Sequence, residues 1–170
     1  MPCGAASSSP SGGAGDGPRV TIRPIGVEER EALFEVMVRF WEELMPHAPV
    51  VQDPSIRPRY FEHECRLGQP GHYAWWAVAG DERVGFAHLE LDEDWSGRPW
   101  AYVKGFYVEP RWRRQGIGRA FVREIAIWLN EQGVYRVDLH ARSDTPAALA
   151  FWRAVGFDLA SYRMRRYLRE

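Results

Sequence analysis

Twelve residues, Val108–Arg119 (VEPRWRRQGIGR), carry the strongest chemical signal in this chain. They leave an apolar run, pass Arg113, Arg114, Gln115, Gly116, Ile117 and Gly118, and enter a segment with helical spacing. Two glycines in such a turn let the backbone bend tightly and approach a ligand. The unpaired N–H groups of the first helical turn point into the loop and, with the helix dipole, attract an anion. Arg113, Arg114 and Arg119 add planar cationic donors. A pyrophosphate is the natural occupant. A Gly-rich turn with solvated arginines is the plainer alternative, but the strand–turn–helix context favours the anion site. Other phosphate motifs fit worse. There is no G-x-x-x-x-G-K-[ST], and a dinucleotide fingerprint would need a third glycine where Phe121 stands.

The elements that must position this loop can be read from periodicity. Arg19–Ile25 alternates as a strand, and Val27–Met45 places Leu33, Val36, Met37, Phe40, Trp41 and Leu44 on one helical face. Pro46–Pro58 holds four prolines and reads as a loop, followed by a short helix over Arg59–Leu67. Tyr73–Ala79 and Arg83–Asp92 form a hairpin about Gly80-Asp81-Glu82, and Trp100–Val108 is a further strand. A helix over Gly116–Gln132 ends at Gly133, and Val134–Ala141 is a strand. Thr145-Pro146 opens a helix that Gly156 stops, and Phe157–Leu168 is expected to be a final strand or hairpin. The strands on either side of the 116–132 helix should be parallel neighbours, and the earlier ones antiparallel. The expected fold class is therefore α/β (α+β): a mixed, mostly antiparallel central sheet with helices on both faces.

Bulk properties bound the partners. The 170 residues suit one domain with a sizeable core, read as residues 19–170 behind a flexible Gly/Ala/Ser/Pro-rich tail over 1–18. Net charge is −1, which gives no global case for nucleic acid or an acidic membrane. The charge is uneven: residues 1–110 carry ten basic and seventeen acidic side chains, residues 111–170 twelve and six. An anionic ligand should thus meet the C-terminal part. Trp112 beside the arginine cluster leaves a nucleic-acid or protein interaction domain as a minor alternative. Cys3 and Cys65 match no metal spacing and no disulfide framework, so no metal and a reducing cytoplasm are expected. No apolar run reaches the length of a membrane span.

The segment R-R-Q-G-I-G (Arg113–Gly118) resembles the R/Q-x-x-G-x-G/A signature of GNAT-superfamily N-acetyltransferases. The preceding F-Y-V-E-P (Phe106–Pro110) looks like that family's fourth strand. T-P-A-A-L-A-F-W-R-A-V-G-F (Thr145–Phe157) is similar to its N-x-x-A-x-x-F-Y-x-x-x-G-F segment. The resemblance implies transfer of an acetyl group from acetyl-coenzyme A (acetyl-CoA) to a primary amine of a small molecule or peptide, by direct transfer in a ternary complex. It implies that Phe106, Tyr107 and Val108 run beside the pantetheine and acetyl group. It also implies that Arg113, Arg114, Gln115, Gly116, Ile117, Gly118 and Arg119 hold the pyrophosphate, with Thr145, Ala148, Phe151 and Trp152 along the pantetheine and thiol. By analogy a homodimer is the assembly to look for. Two positions depart from the pattern. Trp152 stands where the family often has a Tyr that protonates the leaving thiolate, and an indole N–H is a poor acid. Tyr102 stands where some members carry a Glu base. A coenzyme-A-binding sensor of the same fold with little or no turnover is therefore the alternative.

Amide formation needs a neutral amine, a polarised thioester and a protonated leaving group, and a backbone N–H near Val108 can stabilise the oxyanion. Alternation along Arg83–Asp92 puts Val84, Phe86, His88, Glu90 and Asp92 on one side and Leu89 and Leu91 on the other. Glu90 is the first candidate for the base or for attracting a cationic amine, followed by Asp92 and His88. A solvated strand face is the commoner role for any one of them. Tyr162 and Tyr107 are the candidates to replace the missing acid.

Overall fold

The computed structural model describes residues 20–164 together with 166 and 168, so the tail expected over 1–18 lies outside the described residues. Five strands form one sheet in chain order: β1 (Val20–Pro24), β2 (His72–Ala79), β3 (Glu82–Glu93), β4 (Pro99–Val108) and β5 (Arg136–Leu139). Neighbours are antiparallel except β4 and β5, which are parallel. That exception follows from the long helix between them, since a parallel pair needs a crossover connection. α1 (Arg30–Leu44), α2 (Pro49–Gln52) and α3 (Arg57–Glu64) cover one face; α4 (Ile117–Glu131) covers the other, with α5 (Pro146–Ala154) beyond it. The fold class read from the sequence is the observed one.

Each face has its own core. Leu33, Val36, Met37 and Trp41 of α1 pack with Phe61, Trp76, Phe86 and Tyr107. Ile117, Phe121, Ile125 and Leu129 of α4, four residues apart on one stripe, pack on Ala77, Val84, Ala87, Leu89 and Ala101. Glu29 pins the N-terminus of α1 to the sheet: its carboxylate accepts from Arg23, Arg83 and Trp76 Nε1. The Arg23 guanidinium, and then Arg83, hold it well below the usual carboxylate range, at about 2.

Three local expectations fail. The Pro46–Pro58 stretch is not all loop, because Pro49 and Pro54 each open a short helical turn, where a missing N–H costs nothing. The final strand or hairpin expected over Phe157–Leu168 is not found among the described residues: residues 157–164 carry no regular structure, and Leu159, Tyr162 and Met164 are exposed. Among the described residues no strand pairs with this segment. Val84 lies in the α4-side core rather than with Phe86, because the β2–β3 register shifts at Ala77/Val78 and resets which face the residues meet.

His88 is fully buried, neither ring nitrogen has a hydrogen-bond partner among the described residues, and burial pushes its imidazole down to about 3, with smaller contributions from His72 and Lys104. It must stay uncharged in the fold but is free to protonate in the unfolded chain. Its contribution is therefore intact above the ordinary histidine value of about 6.5 and is lost as pH falls towards 3. We expect about 4 kcal/mol of acid destabilisation from this one group by pH 3. Urea titrations of the wild type and of His88→Leu at pH 7 and pH 4 check it: the variant should have the shallower acid slope, and equal slopes would reject the assignment.

Candidate functional site

β4 and β5 pair only from Trp100↔Arg136 to Val103↔Leu139, yet β4 runs on to Val108. Beyond Val103 the two strands part, and no strand pairs with residues 104–108 on that side, although Arg113 engages the Val108 carbonyl. The opening leads into a cleft of about 800 Å³ between α1, β4, the β4–α4 turn and α5. Phe40 and Leu44 line it from α1, Phe106, Tyr107 and Val108 from β4, and Ala148, Phe151 and Trp152 from α5. Phe106 points to the α4–α5 side, stacked on Phe151 with centroids 5.6 Å apart and meeting Trp152 edge-on at 5.0 Å. Tyr107 points to the α1 side against Phe40. An apolar wall with a free strand edge suits a long thin ligand carrying amide groups.

At the far end the chain leaves β4, makes a 3-10 turn over Pro110–Trp112 and enters α4 at Ile117. Gly116 is the N-cap, with φ +81°, and a β-carbon placed there would meet nothing within 4 Å. Arg114 has φ +64°, and among the described residues it alone reaches the left-handed region without being glycine. Left-handed residues near a helix start turn successive N–H groups towards one point, which makes a concave anion site. Backbone strain of about 1–3 kcal/mol at such a residue persists only where its surroundings impose it. The turn expected to hold a pyrophosphate thus has the geometry for one.

The side chains divide differently from the sequence reading. Arg113 is not aimed into the loop: its guanidinium makes a two-pronged bond to Glu43 at 2.6 and 2.7 Å, donates to Val108 O at 2.7 Å and lies over the Tyr107 ring. It ties α1 to the end of β4. Arg114 lines the cleft, and among the described residues no hydrogen bond engages its guanidinium. Gln115 donates to Arg111 O, and Arg119, also on the cleft, reaches Ala154 O at 3.4 Å. Gly118 serves packing: a β-carbon there would sit 3.0 Å from the Phe151 ring, so the missing side chain is what lets α5 approach α4. Thr145 stands at the N-cap of α5 on the cleft wall, but its hydroxyl donates back to Arg142 O at 2.8 Å and leaves the helix N–H groups alone.

The three residues named for catalysis are not brought together. Glu90 lies across from Tyr102 on β3, 39% exposed, with Lys104 at 3.9 Å and His72 at 4.0 Å. Asp92 is nearer the hairpin tip, opposite Trp100, and accepts from the Glu93 N–H. Tyr162 is 85% exposed and does not line the cleft. Tyr107 does line it, but its hydroxyl meets Glu109, and burial, with the Glu109 and Glu43 charges, pushes it up to about 12. Sequence reasoning missed a different pair. Where β4 and β5 part, the Tyr102 hydroxyl is hydrogen-bonded to His140 Nδ1. Only the parallel pairing brings these residues, 38 positions apart, together.

Comparison with known proteins gives the same frame. The sequence model of the Acetyltransferase (GNAT) family matches residues 32–157. The N-alpha-acetyltransferase RimI of Mycobacterium tuberculosis is 34% identical over 120 residues, 69% of this chain and 70% of that protein. The Aminoglycoside N(6')-acetyltransferase type 1 of Stenotrophomonas maltophilia is 32% identical over 85 residues, 48% of this chain; the chain thus spans only 56% of that relative's length. Among solved structures, an aminoglycoside acetyltransferase from an uncultured soil metagenomic sample in complex with sisomicin superposes with a TM-score of 0.68 at 20% identity, over 89% of this chain and 96% of that one. The aminoglycoside N-acetyltransferase AAC(6')-Iy in complex with CoA gives 0.67 at 18% identity, over 92% and 98%. At these identities the structures establish the fold.

The Gly118–Phe151 contact makes a direct prediction. Gly118→Val should displace the Phe151 ring, narrow the cleft and weaken coenzyme A binding at least about tenfold by calorimetry, a loss of about 1.4 kcal/mol. Gly118→Ala should cost less, since the ring need shift only a few tenths of an ångström. Unchanged affinity in the Val variant would show that this contact does not shape the cleft.

Proposed function

The chain belongs to the GNAT acetyltransferase family, and from that premise we propose that it transfers an acetyl group from acetyl-CoA to a primary amine within a ternary complex. The observation that carries the reading is the cleft itself. A left-handed turn at a helix N-terminus lies at one end, and the free β4 edge leads away from it between apolar walls. The pyrophosphate would rest on the N–H groups around Gly116, with Arg114 and Arg119 as countercharges. The thioester supplies the activated acyl group. Phe106 and Val108 flank the arm that carries it, and a backbone N–H of the β4 edge would stabilise the developing oxyanion.

The direction of the arm follows from the fold. The anion turn lies beyond Val108, so the thioester end points back along β4 towards Lys104. Five residues of strand span about 16 Å. The acceptor then arrives where β4 and β5 part, near Glu64, Glu90 and Asp138. Those carboxylates favour a cationic amine, and a small amine of that kind is the acceptor we propose. Residues 19–170 would act as the catalytic unit in a cytoplasmic setting, where the buried free thiol of Cys65 stays reduced. A homodimer is the assembly we would test for.

One observation keeps a second reading open. Trp152 lines the cleft where the family often has a tyrosine, and neither Glu90 nor Tyr162 lines it. A sensor of coenzyme A would need no acid there. The two readings part on turnover. A thiol-release assay across a panel of small polyamines, aminoglycosides and N-terminal peptides should give acetyl-CoA-dependent signal with at least one cationic amine. Gly116→Val, which forces a branched residue to φ +81°, should lower kcat/KM for acetyl-CoA about 100-fold. Thermal stabilisation by acetyl-CoA with no thiol release on any acceptor would favour the sensor.

A further inference from the structure

We propose that His140, held at Nδ1 by the Tyr102 hydroxyl, is the group that takes the proton from the attacking amine and returns it to the departing sulfur. The inference rests on the acetyl-transfer reading above and names the residues that would serve it. Its support is the position of the pair. Val103↔Leu139 is the last β4–β5 rung, so His140 is the first residue of its strand past the parting, and Lys104 is its counterpart on β4. The pair stands outside the residues that line the cleft, with Lys104 two positions along β4 from Phe106, and the acyl end of a ligand anchored at Gly116 and laid along β4 would reach towards it.

The bonding pattern suits the task. The imidazole is exposed, and among the described residues Nε2 has no hydrogen-bond partner, while Nδ1 faces the Tyr102 oxygen. The rings meet edge to face at 5.5 Å and 65°. A hydroxyl oxygen both donates and accepts. It can therefore accept from Nδ1–H, which leaves the Nε2 lone pair directed outward, and it can keep that bond when the ring becomes imidazolium. Burial raises the Tyr102 hydroxyl above its usual value, so it stays protonated and neutral beside the imidazole. The charged groups around the pair are Asp138 and Arg136 on β5, Glu90 on β3, Lys104 on β4, Glu64 at the end of α3, and Arg163. Lys104 is the single lysine of the chain, and its ammonium lies between Glu64 (3.2 Å) and Glu90 (3.9 Å). Glu90 is thereby partly neutralised, which leaves His140 as the unclaimed proton acceptor at the parting.

The step balances as follows. The neutral amine nitrogen attacks the thioester carbonyl carbon and forms the N–C bond, while its proton passes to His140 Nε2. The C–S bond breaks with its electron pair on sulfur. Nε2–H then protonates the thiolate, which releases free coenzyme A and regenerates the neutral ring.

The test uses the full-length protein, a cationic acceptor from the panel and a weakly basic amine that is neutral throughout the pH range. His140→Gln should lower kcat about 100-fold, within the usual contribution of general acid–base catalysis, and leave the acetyl-CoA Kd within twofold. With the weakly basic acceptor, the acid limb of the wild-type kcat profile should vanish in this variant. Tyr102→Phe should lower kcat about tenfold and move that limb. Ring-nitrogen NMR gives a readout without turnover. It should find the Nδ1–H tautomer dominant at His140 in the wild type and lost in Tyr102→Phe. A dominant Nε2–H tautomer, or a His140→Gln enzyme within threefold of wild type with the acid limb intact, overturns the proposal while the acetyltransferase reading stands. A wild type that binds acetyl-CoA but acetylates no amine overturns both.

Discussion

Parallel pairing between β4 and β5 stops at Val103↔Leu139, and the last five residues of β4 keep one edge without a neighbour. A strand edge with free amide groups in the middle of a sheet demands a partner, because unpaired backbone groups away from water are costly. Here the strands diverge into a cleft rather than closing on each other. A ligand with amide groups of its own can pair with that edge. The other features of the site serve this opening: the turn at Gly116 fixes one end, and the Tyr102–His140 contact stands at the other.

Both walls of the opening are held by interactions whose role is structural. Arg113 binds Glu43 with two prongs and so fastens α1 to the end of β4. The pair is partly exposed, so its contribution to stability is modest, but its geometry sets where α1 stands along the cleft. On the other side, Gly118 allows Phe151 to lie against α4, and Phe151 in turn stacks on Phe106. A signature of arginines and glycines therefore combines two jobs. Gly116 and the backbone around it form a left-handed turn at the start of α4, while Arg113 and Gly118 hold the helices beside it.

The charge asymmetry of the chain also acquires a location. The cationic residues Arg114 and Arg119 line the anion end of the cleft. Glu64, Glu90 and Asp138 gather near the parting of the strands, with Lys104 among them. Cationic side chains thus line the cleft, while the carboxylates gather outside its lining, beside the point where the strands part.

The sequence by itself determined the element order, the parallel β4–β5 pair and the tight turn into α4 at Gly116. Each follows from local periodicity, turn residues or the handed crossover, and these act within a few dozen residues. It also determined the apolar stripe of α4, where Ile117, Phe121, Ile125 and Leu129 recur at helical spacing. What tertiary structure alone decided lies beyond that range. The Arg113–Glu43 pair joins positions 70 apart, and Tyr102 meets His140 across 38. The register shifts at Ala77/Val78 and at His88/Leu89 reset which side chains face which core, as Val84 shows. The first leaves Val84 as the extra residue of β3 and the second Lys104 as the extra residue of β4, and neither is marked by the alternation of its own strand. For the same reason the strand expected over Phe157–Leu168 is not found over residues 157–164: a strand needs a paired neighbour, which local sequence does not supply.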